Sequence, residues 1–294
     1  MQNSFISGGM IPSVNFHLWE PCNMRCGFCF ARFQDVRSTI LPKGHLPREQ
    51  ALEVVRELAA YGFRKITFAG GEPTLCPWLH ELVAEAKSRG MLTMIVSNGS
   101  RLTEDYLRCF DGNLDWMVLS VDSLDPVANT RSGRMVPGST AFDRENYTRL
   151  CRLIRKVGLQ LKINTVVHAG NWSENLKDFI LEIRPDRWKI LQVLRVDGQN
   201  DADFARFQIA GQQFADFCER NRTDANGIPF VPENTEVIQG SYVMVDPAGR
   251  FFDDTKGFHT YSGPILALGV TQALGEINFD ADKFWGRDGG YYLQ

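Results

Sequence analysis

Apolar positions along this chain follow two alternating rhythms, one of period two and one near 3.6. Ser13–Trp19 sets Val14, Phe16 and Leu18 on one side and Asn15 and His17 on the other, which predicts a strand. Arg48–Tyr61 carries Ala51, Leu52, Val55, Leu58 and Ala59 on one helical face and stops at Gly62. Further strands are expected at 65–69, Leu92–Ser97, 116–121, 159–167 and 187–194. Helices are expected at 78–89, from about Thr103, at 144–157, from Ser173 and across 204–222. Six strand–helix units in a row predict a parallel sheet with right-handed crossovers, hence an α/β fold. Six are too few for a closed eight-fold barrel, so a partial (β/α)6 TIM-like barrel is expected over residues 11–225. Past Arg222 the rhythm breaks. Gly, Pro, Asn and Asp become frequent, a hairpin is expected from 241–245 and 250–252, and residues 226–294 read as a C-terminal cap.

Composition narrows the class. A chain of 294 residues can bury a large core without disulfides. Its net charge of −3 gives no global basic field for nucleic acid or an anionic membrane. Met1 to Ile11 has neither the basic flank nor the apolar core of a signal peptide, and no apolar run approaches bilayer length. A soluble cytoplasmic protein is the expectation.

Cysteine placement changes the picture. Cys22, Cys26 and Cys29 fall within eight residues, in the loop directly after the first strand, while Cys76, Cys109, Cys151 and Cys218 are scattered. Clustered thiolates suit zinc or an iron–sulfur cluster. A structural zinc site wants four ligands, and no second Cys/His pair stands at zinc-finger spacing. Three thiolates on a four-iron cluster leave one iron open, as a catalytic cluster requires. Gly70-Gly71-Glu72-Pro73 follows the second strand: its glycines permit close backbone approach to a ligand, and Glu72 offers a carboxylate to a cation. Together these two motifs resemble those of radical S-adenosylmethionine (SAM) enzymes. That resemblance implies a [4Fe-4S] cluster on the three cysteines, SAM chelated to the open iron, and release of a 5′-deoxyadenosyl radical on one-electron reduction.

The strands supply an independent signal. Lys162 and Asn164 oppose Leu161 and Ile163; Arg187 and Lys189 oppose Trp188 and Ile190; Lys65 and Thr67 oppose Ile66 and Phe68. Helices must cover the apolar face, so the polar set points into the barrel. Interior cations are costly without an anionic partner. Carboxylates of the chain or strand ends reaching solvent would serve for one lysine, but a polyphosphate is the natural partner for all of them together.

With these strands the chain resembles the viperin branch of radical SAM enzymes. The likeness runs through Ser13-Val14-Asn15-Phe16-His17, Cys26-Gly27-Phe28-Cys29-Phe30, Lys65 to Pro73, Ile95 to Ser100, Lys162-Ile163-Asn164 and Arg187-Trp188-Lys189. It continues through Val231-Pro232-Glu233, Ser241-Tyr242 and Phe284-Trp285-Gly286-Arg287. The resemblance implies conversion of a ribonucleoside triphosphate to its 3′-deoxy-3′,4′-didehydro form, an antiviral terminator of RNA synthesis. It implies SAM contacts from Phe28, Gly70, Gly71, Glu72, Ser97, Asn98, Ser120 and Arg134. Nucleotide contacts are implied for Asn15, His17, Lys65, Lys162, Asn164, Arg187, Lys189 and Arg287, with Tyr242 as the catalytic candidate near the ribose. A basic residue in the cap loop of animal members is replaced here near His259, and Lys256 is the candidate to bind phosphate in its stead.

CTP and UTP are the expected substrates, with GTP as a further candidate. Flavodoxin or ferredoxin is the expected electron donor, and a monomer the expected state. Animal members carry an amphipathic membrane helix, whereas this chain starts almost at the first strand, so no membrane partner is expected. The net charge of −3 likewise leads to no expected nucleic acid partner. A bacterial or archaeal antiviral enzyme fits best. Two other readings compete: a radical SAM enzyme that matures a peptide or cofactor, and a non-catalytic nucleotide-binding metalloprotein.

Overall fold

The computed structural model describes residues 11–110 and 112–293. The reading of Met1 to Met10 as lacking a targeting segment lies outside them. Six strands follow the expected order: β1 (Ser13–Trp19), β2 (Lys65–Gly70), β3 (Leu92–Ser97), β4 (Trp116–Ser120), β5 (Gln160–Val167) and β6 (Arg187–Gln192). Each pairs in parallel with the next, as right-handed crossovers require. The sheet is open, a partial barrel with helices outside.

Period-two alternation does what elementary physics asks of it. Leu161, Ile163, Trp188 and Ile190 are fully buried in the core, where each contributes about 1.5–3 kcal/mol by leaving water. The helix Arg144–Lys156 packs on β5 and buries Tyr147, Leu150, Cys151 and Ile154, and it opens on a capping box between Asp143 and Asn146. Lys162, Asn164, Arg187 and Lys189 are left on the concave side. In register Lys162 stands opposite Arg187 and Asn164 opposite Lys189, so like charges are cross-strand neighbours.

One expectation needs correction. The helix across 204–222 is broken: a short turn at Asp201–Phe204 precedes the helix Gly211–Asn221. Phe207, in the break, turns inward against Phe28, with ring centres 5.6 Å apart, and sits where any Cβ on Gly27 would be. Packing of the cysteine loop outweighs helical propensity there. The chain after residue 225 continues the same sheet. It adds β7 (Phe230–Glu233) in parallel beside β6. It then crosses to the other edge, where β8 (Met244–Val245) pairs in parallel with β1. The expected hairpin joins β8 to β9 (Arg250–Asp253), and β10 (Thr260–Pro264) closes a sheet ordered β10-β9-β8-β1-β2-β3-β4-β5-β6-β7. Residues 226–293 therefore flank the barrel's cavity from both edges.

Among the described residues no helix is long and apolar enough to cross a membrane.

Candidate active site

One deep cavity fills the concave side of the sheet, and every candidate residue named above except Lys256 lines it. Lys256 is exposed on the loop before β10. His259 is buried instead among Phe33, Phe252 and Phe30, and burial drops its pKa to about 4. Neither side chain lines the cavity, so no phosphate contact is assigned to either.

At the C-terminal end of the strands the cysteine loop is held by backbone bonds on two sides. Arg25 and Gly27 donate to the carbonyls of Gly133 and Ser132, each at 3.0 Å, and Glu72 donates to that of Pro21 at 3.0 Å. Asn98 Nδ2 reaches Asn23 Oδ1 at 2.9 Å, and Asn23 Nδ2 reaches Ser100 at 2.8 Å. A Cβ on Gly71 would lie 2.2 Å from the Glu20 carbonyl oxygen and 2.5 Å from that of Pro21, so only glycine lets the two loops meet. Cys22, Cys26 and Cys29 line the cavity mouth as free thiols. Burial pushes Cys22 up to about 11 and Cys26 up to about 12.

Among the described residues no three His, Cys, Asp or Glu side chains close on a single metal ion. Three soft donors ringing a wider mouth fit a polynuclear iron–sulfur cluster instead. SAM-type chemistry fits the neighbours. Glu72 is buried and accepts from Thr74 N, Thr74 Oγ1, Ser97 Oγ and Asn98 N. Burial raises its pKa against those four bonds, which leaves a carboxylate whose ionised form favours a cation beside it. Arg134 is anchored by Asp122 Oδ2 at 3.0 Å and the Ser120 carbonyl at 2.7 Å, and its Nε is buried with no hydrogen-bond partner among the described residues. Phe28 stacks on His168 at 4.7 Å, a flat apolar surface beside the thiols.

The deeper end is cationic. Lys65, Lys162, Arg187, Lys189 and Arg287 all border it. Among the described residues Lys65 donates hydrogen bonds to the hydroxyls of Ser13 and Thr67, each at 3.1 Å, and meets no carboxylate. Burial and then the neighbouring cations, Lys162 foremost, push Lys65 well below the ordinary lysine range. Burial and Arg187 bring Lys162 down to about 7. Arg187 is 3.1 Å from Asp288, and Lys189 and Arg287 meet Glu233. Asn164 Oδ1 and His17 Nδ1 are buried without hydrogen-bond partners among the described residues, and burial followed by the His259 charge takes His17 to about 3. Tyr292 floors this end, its ring 4.8 Å from Lys65 Nζ and 5.4 Å from Lys162 Nζ.

Glu233, Asp122 and Tyr292 contact the candidate residues, and the sequence does not single them out. Val231-Pro232-Glu233 was visible as a motif, but nothing in it signalled a carboxylate directed at the barrel's cations. Asp122, one residue past the fourth expected strand, and Tyr292 carried no local signal.

A family model for the radical SAM superfamily matches residues 19–183. This chain belongs to the radical SAM superfamily. That family uses a [4Fe-4S] cluster and SAM, which the three thiols and the Glu72–Arg134 surroundings fit. A protein of Flammeovirga pacifica named S-adenosylmethionine-dependent nucleotide dehydratase is 51% identical, over 98% of this chain and 99% of its own length. One of Lacinutrix mariniflava with the same name is 53% identical over 96% of this chain, which spans 58% of that protein's length. The rainbow trout (Oncorhynchus mykiss) dehydratase RSAD2 is 34% identical, covering 95% and 80%. Among solved structures, native anSMEcpe with bound AdoMet superposes with a TM-score of 0.69 at 14% identity, over 94% of this chain and 82% of its own. That likeness shows the shared partial-barrel fold.

Proposed function

We propose that this radical SAM protein is a nucleotide dehydratase that removes the 3′ hydroxyl of a ribonucleoside triphosphate as water, giving the 3′-deoxy-3′,4′-didehydro product. One observation carries the reading: five cations converge at the closed end of the same cavity whose mouth holds three thiols. When bound, the cluster and SAM supply a radical able to remove a ribose hydrogen.

The protein's own residues do the rest. Glu72 and Arg134 take the amino and carboxylate groups of SAM, and Phe28 packs near its adenine. Lys65, Lys162, Arg187, Lys189 and Arg287 hold the polyphosphate at the deep end, which leaves the sugar toward the thiols. Asn15, Asn164 and His17 orient the nucleotide, and the buried free Oδ1 of Asn164 offers an acceptor to it. Tyr242 lines the cavity beside Lys189 and Arg287, and in this reading its hydroxyl serves the sugar. CTP and UTP are the first substrates to try, then GTP; a flavodoxin or ferredoxin is the proposed electron donor and a monomer the working state.

A peptide- or cofactor-maturing role has no use for so many interior cations. Later cysteines that would carry an extra cluster are also missing, since Cys218 is buried and alone after Cys151. Anaerobic reconstitution followed by incubation with SAM, dithionite and each triphosphate in turn tests the proposal. At least one triphosphate should stimulate 5′-deoxyadenosine formation and yield a dehydrated nucleotide. Stimulation by none of them would end it.

A further inference from the structure

Lys189, Tyr242 and Arg287 come from β6, from the loop before β8 and from the end of the helix Ala281–Gly286, and one carboxylate joins them. Glu233, the last residue of β7, is fully buried and does not line the cavity. Its Oε1 accepts from Lys189 Nζ and lies 3.5 Å from Arg287 Nη1, while its Oε2 accepts from the Tyr242 hydroxyl. The ring closes on itself: Lys189 Nζ is 2.9 Å from the Tyr242 hydroxyl, and the Arg287 guanidinium stacks 3.7 Å from the centre of the Tyr242 ring. Burial opposes ionisation of Glu233, but the Lys189 and Arg287 charges and the two hydrogen bonds outweigh it and hold the carboxyl down to about 2.

A carboxylate is a poor choice behind a pocket that must attract an anion. Its charge subtracts from the field of the very cations that bind phosphate, and its burial costs desolvation. Neither penalty is offset by contact with substrate, because the side chain lies behind the cavity wall. What the carboxylate does supply is geometry. Two oxygens with about four lone-pair directions accept from three groups at once, which no neutral side chain of that size can do. A buried network that is fully satisfied fixes its members in one arrangement.

We propose that Glu233 is a positioning residue that couples the triphosphate-binding cations to Tyr242, so that phosphate capture and phenol placement at the sugar occur as one unit. The inference rests on the dehydratase reading above. It makes an unusual demand on the variants. Replacing Glu233 by Gln keeps the shape and deletes the charge, so CTP binding stays within about threefold of wild type or tightens, while turnover falls. A purely structural role would lower both together.

The test uses the reconstituted holoenzyme with SAM. CTP binding is read by equilibrium dialysis, turnover by dehydrated nucleotide and uncoupling by the ratio of 5′-deoxyadenosine to product. For Glu233→Gln the expected outcome is kcat down at least tenfold, a raised uncoupling ratio and unweakened CTP binding; Glu233→Asp, which keeps the charge, should recover part of kcat. Tyr242→Phe should show the same split, and the double variant Glu233→Gln/Tyr242→Phe should be no slower than the slower single one. Multiplicative losses in the double variant, or CTP binding that falls in proportion to kcat, overturn the proposal. If Glu233→Gln fails to fold, Glu233→Asp with unchanged coupling and kcat overturns it equally. Failure of wild type to respond to any triphosphate strikes the dehydratase reading, whereas a responsive wild type and a fully active Glu233→Gln strike Glu233 alone.

Discussion

The Lys65 ammonium stands 4.8 Å from the centre of the Tyr292 ring, so a residue near the end of the chain closes the barrel beneath the first lysine of its second strand. The same ring faces Lys162 and Arg187 at 5.4 and 5.3 Å, and its edge packs on Trp116. An aromatic face is a floor on which these basic side chains can rest without adding a carboxylate's charge to the cavity.

Replacing Tyr292 by Ala should therefore open the cation cluster to water. Cation–π contacts of about 1–2 kcal/mol predict CTP affinity weaker by about 5- to 30-fold. Tyr292→Phe keeps the ring and should stay within about threefold. Equilibrium dialysis on both variants is the check, and an unaffected Tyr292→Ala would remove Tyr292 from the site.

Lys162 predicts a pH dependence. Its pKa of about 7 in the free protein means that below this pH it already carries the proton a phosphate wants. Above it, binding must take up a proton, so the CTP Kd should rise by up to about tenfold per pH unit beyond about pH 7. Lys65, displaced the same way, adds to the trend. Lys162→Ala should weaken CTP by about 10- to 100-fold and flatten the profile. The unliganded fold, in turn, should gain stability as pH climbs from about 7 toward 10.5, because the unfolded chain holds that proton longer. Calorimetry in buffers of different ionisation enthalpy would read the proton uptake directly.

Much of this fold and site is legible in the sequence, and the reason is periodicity. Strands β1 to β6 alternate strictly enough that the inward set of Lys65, Lys162, Asn164, Arg187 and Lys189 follows once helices are placed outside. The cysteine loop and Gly70–Gly71 are legible because metal ligation and close backbone approach restrict residue type at fixed spacing. β7 is not, since it spans four residues and contains Pro232, which reads as a strand breaker but is tolerated on an edge strand. The pairing of β8 with β1 is a contact between residues about 230 positions apart, for which local pattern carries no signal. Glu233 is hidden for the same reason, because two of its partners, Lys189 and Arg287, lie more than 40 residues away on either side.

Gly71 tests the mouth of the cavity independently of the nucleotide. A Cβ there would lie 2.2 Å from backbone of the cysteine loop, which cannot swing aside as a side chain would. Gly71→Ala should displace that loop, lower SAM affinity at least tenfold and reduce the iron held after reconstitution. CTP binding at the deep end should change by less than about threefold. Iron assay and dialysis with each ligand separate these effects; equal loss of both ligands would mean that the two ends are not independent.

The proposed dehydration requires that the sugar of a triphosphate bound at Lys65 and Lys162 come within reach of the chemistry at Cys22, Cys26 and Cys29. CTP carrying deuterium at the ribose 4′ carbon measures that most directly. The reconstituted protein, given SAM and reductant, should transfer one deuterium into 5′-deoxyadenosine while forming the didehydro nucleotide. 5′-Deoxyadenosine that remains free of deuterium, with no gain in its yield when CTP, UTP or GTP is added, would contradict it.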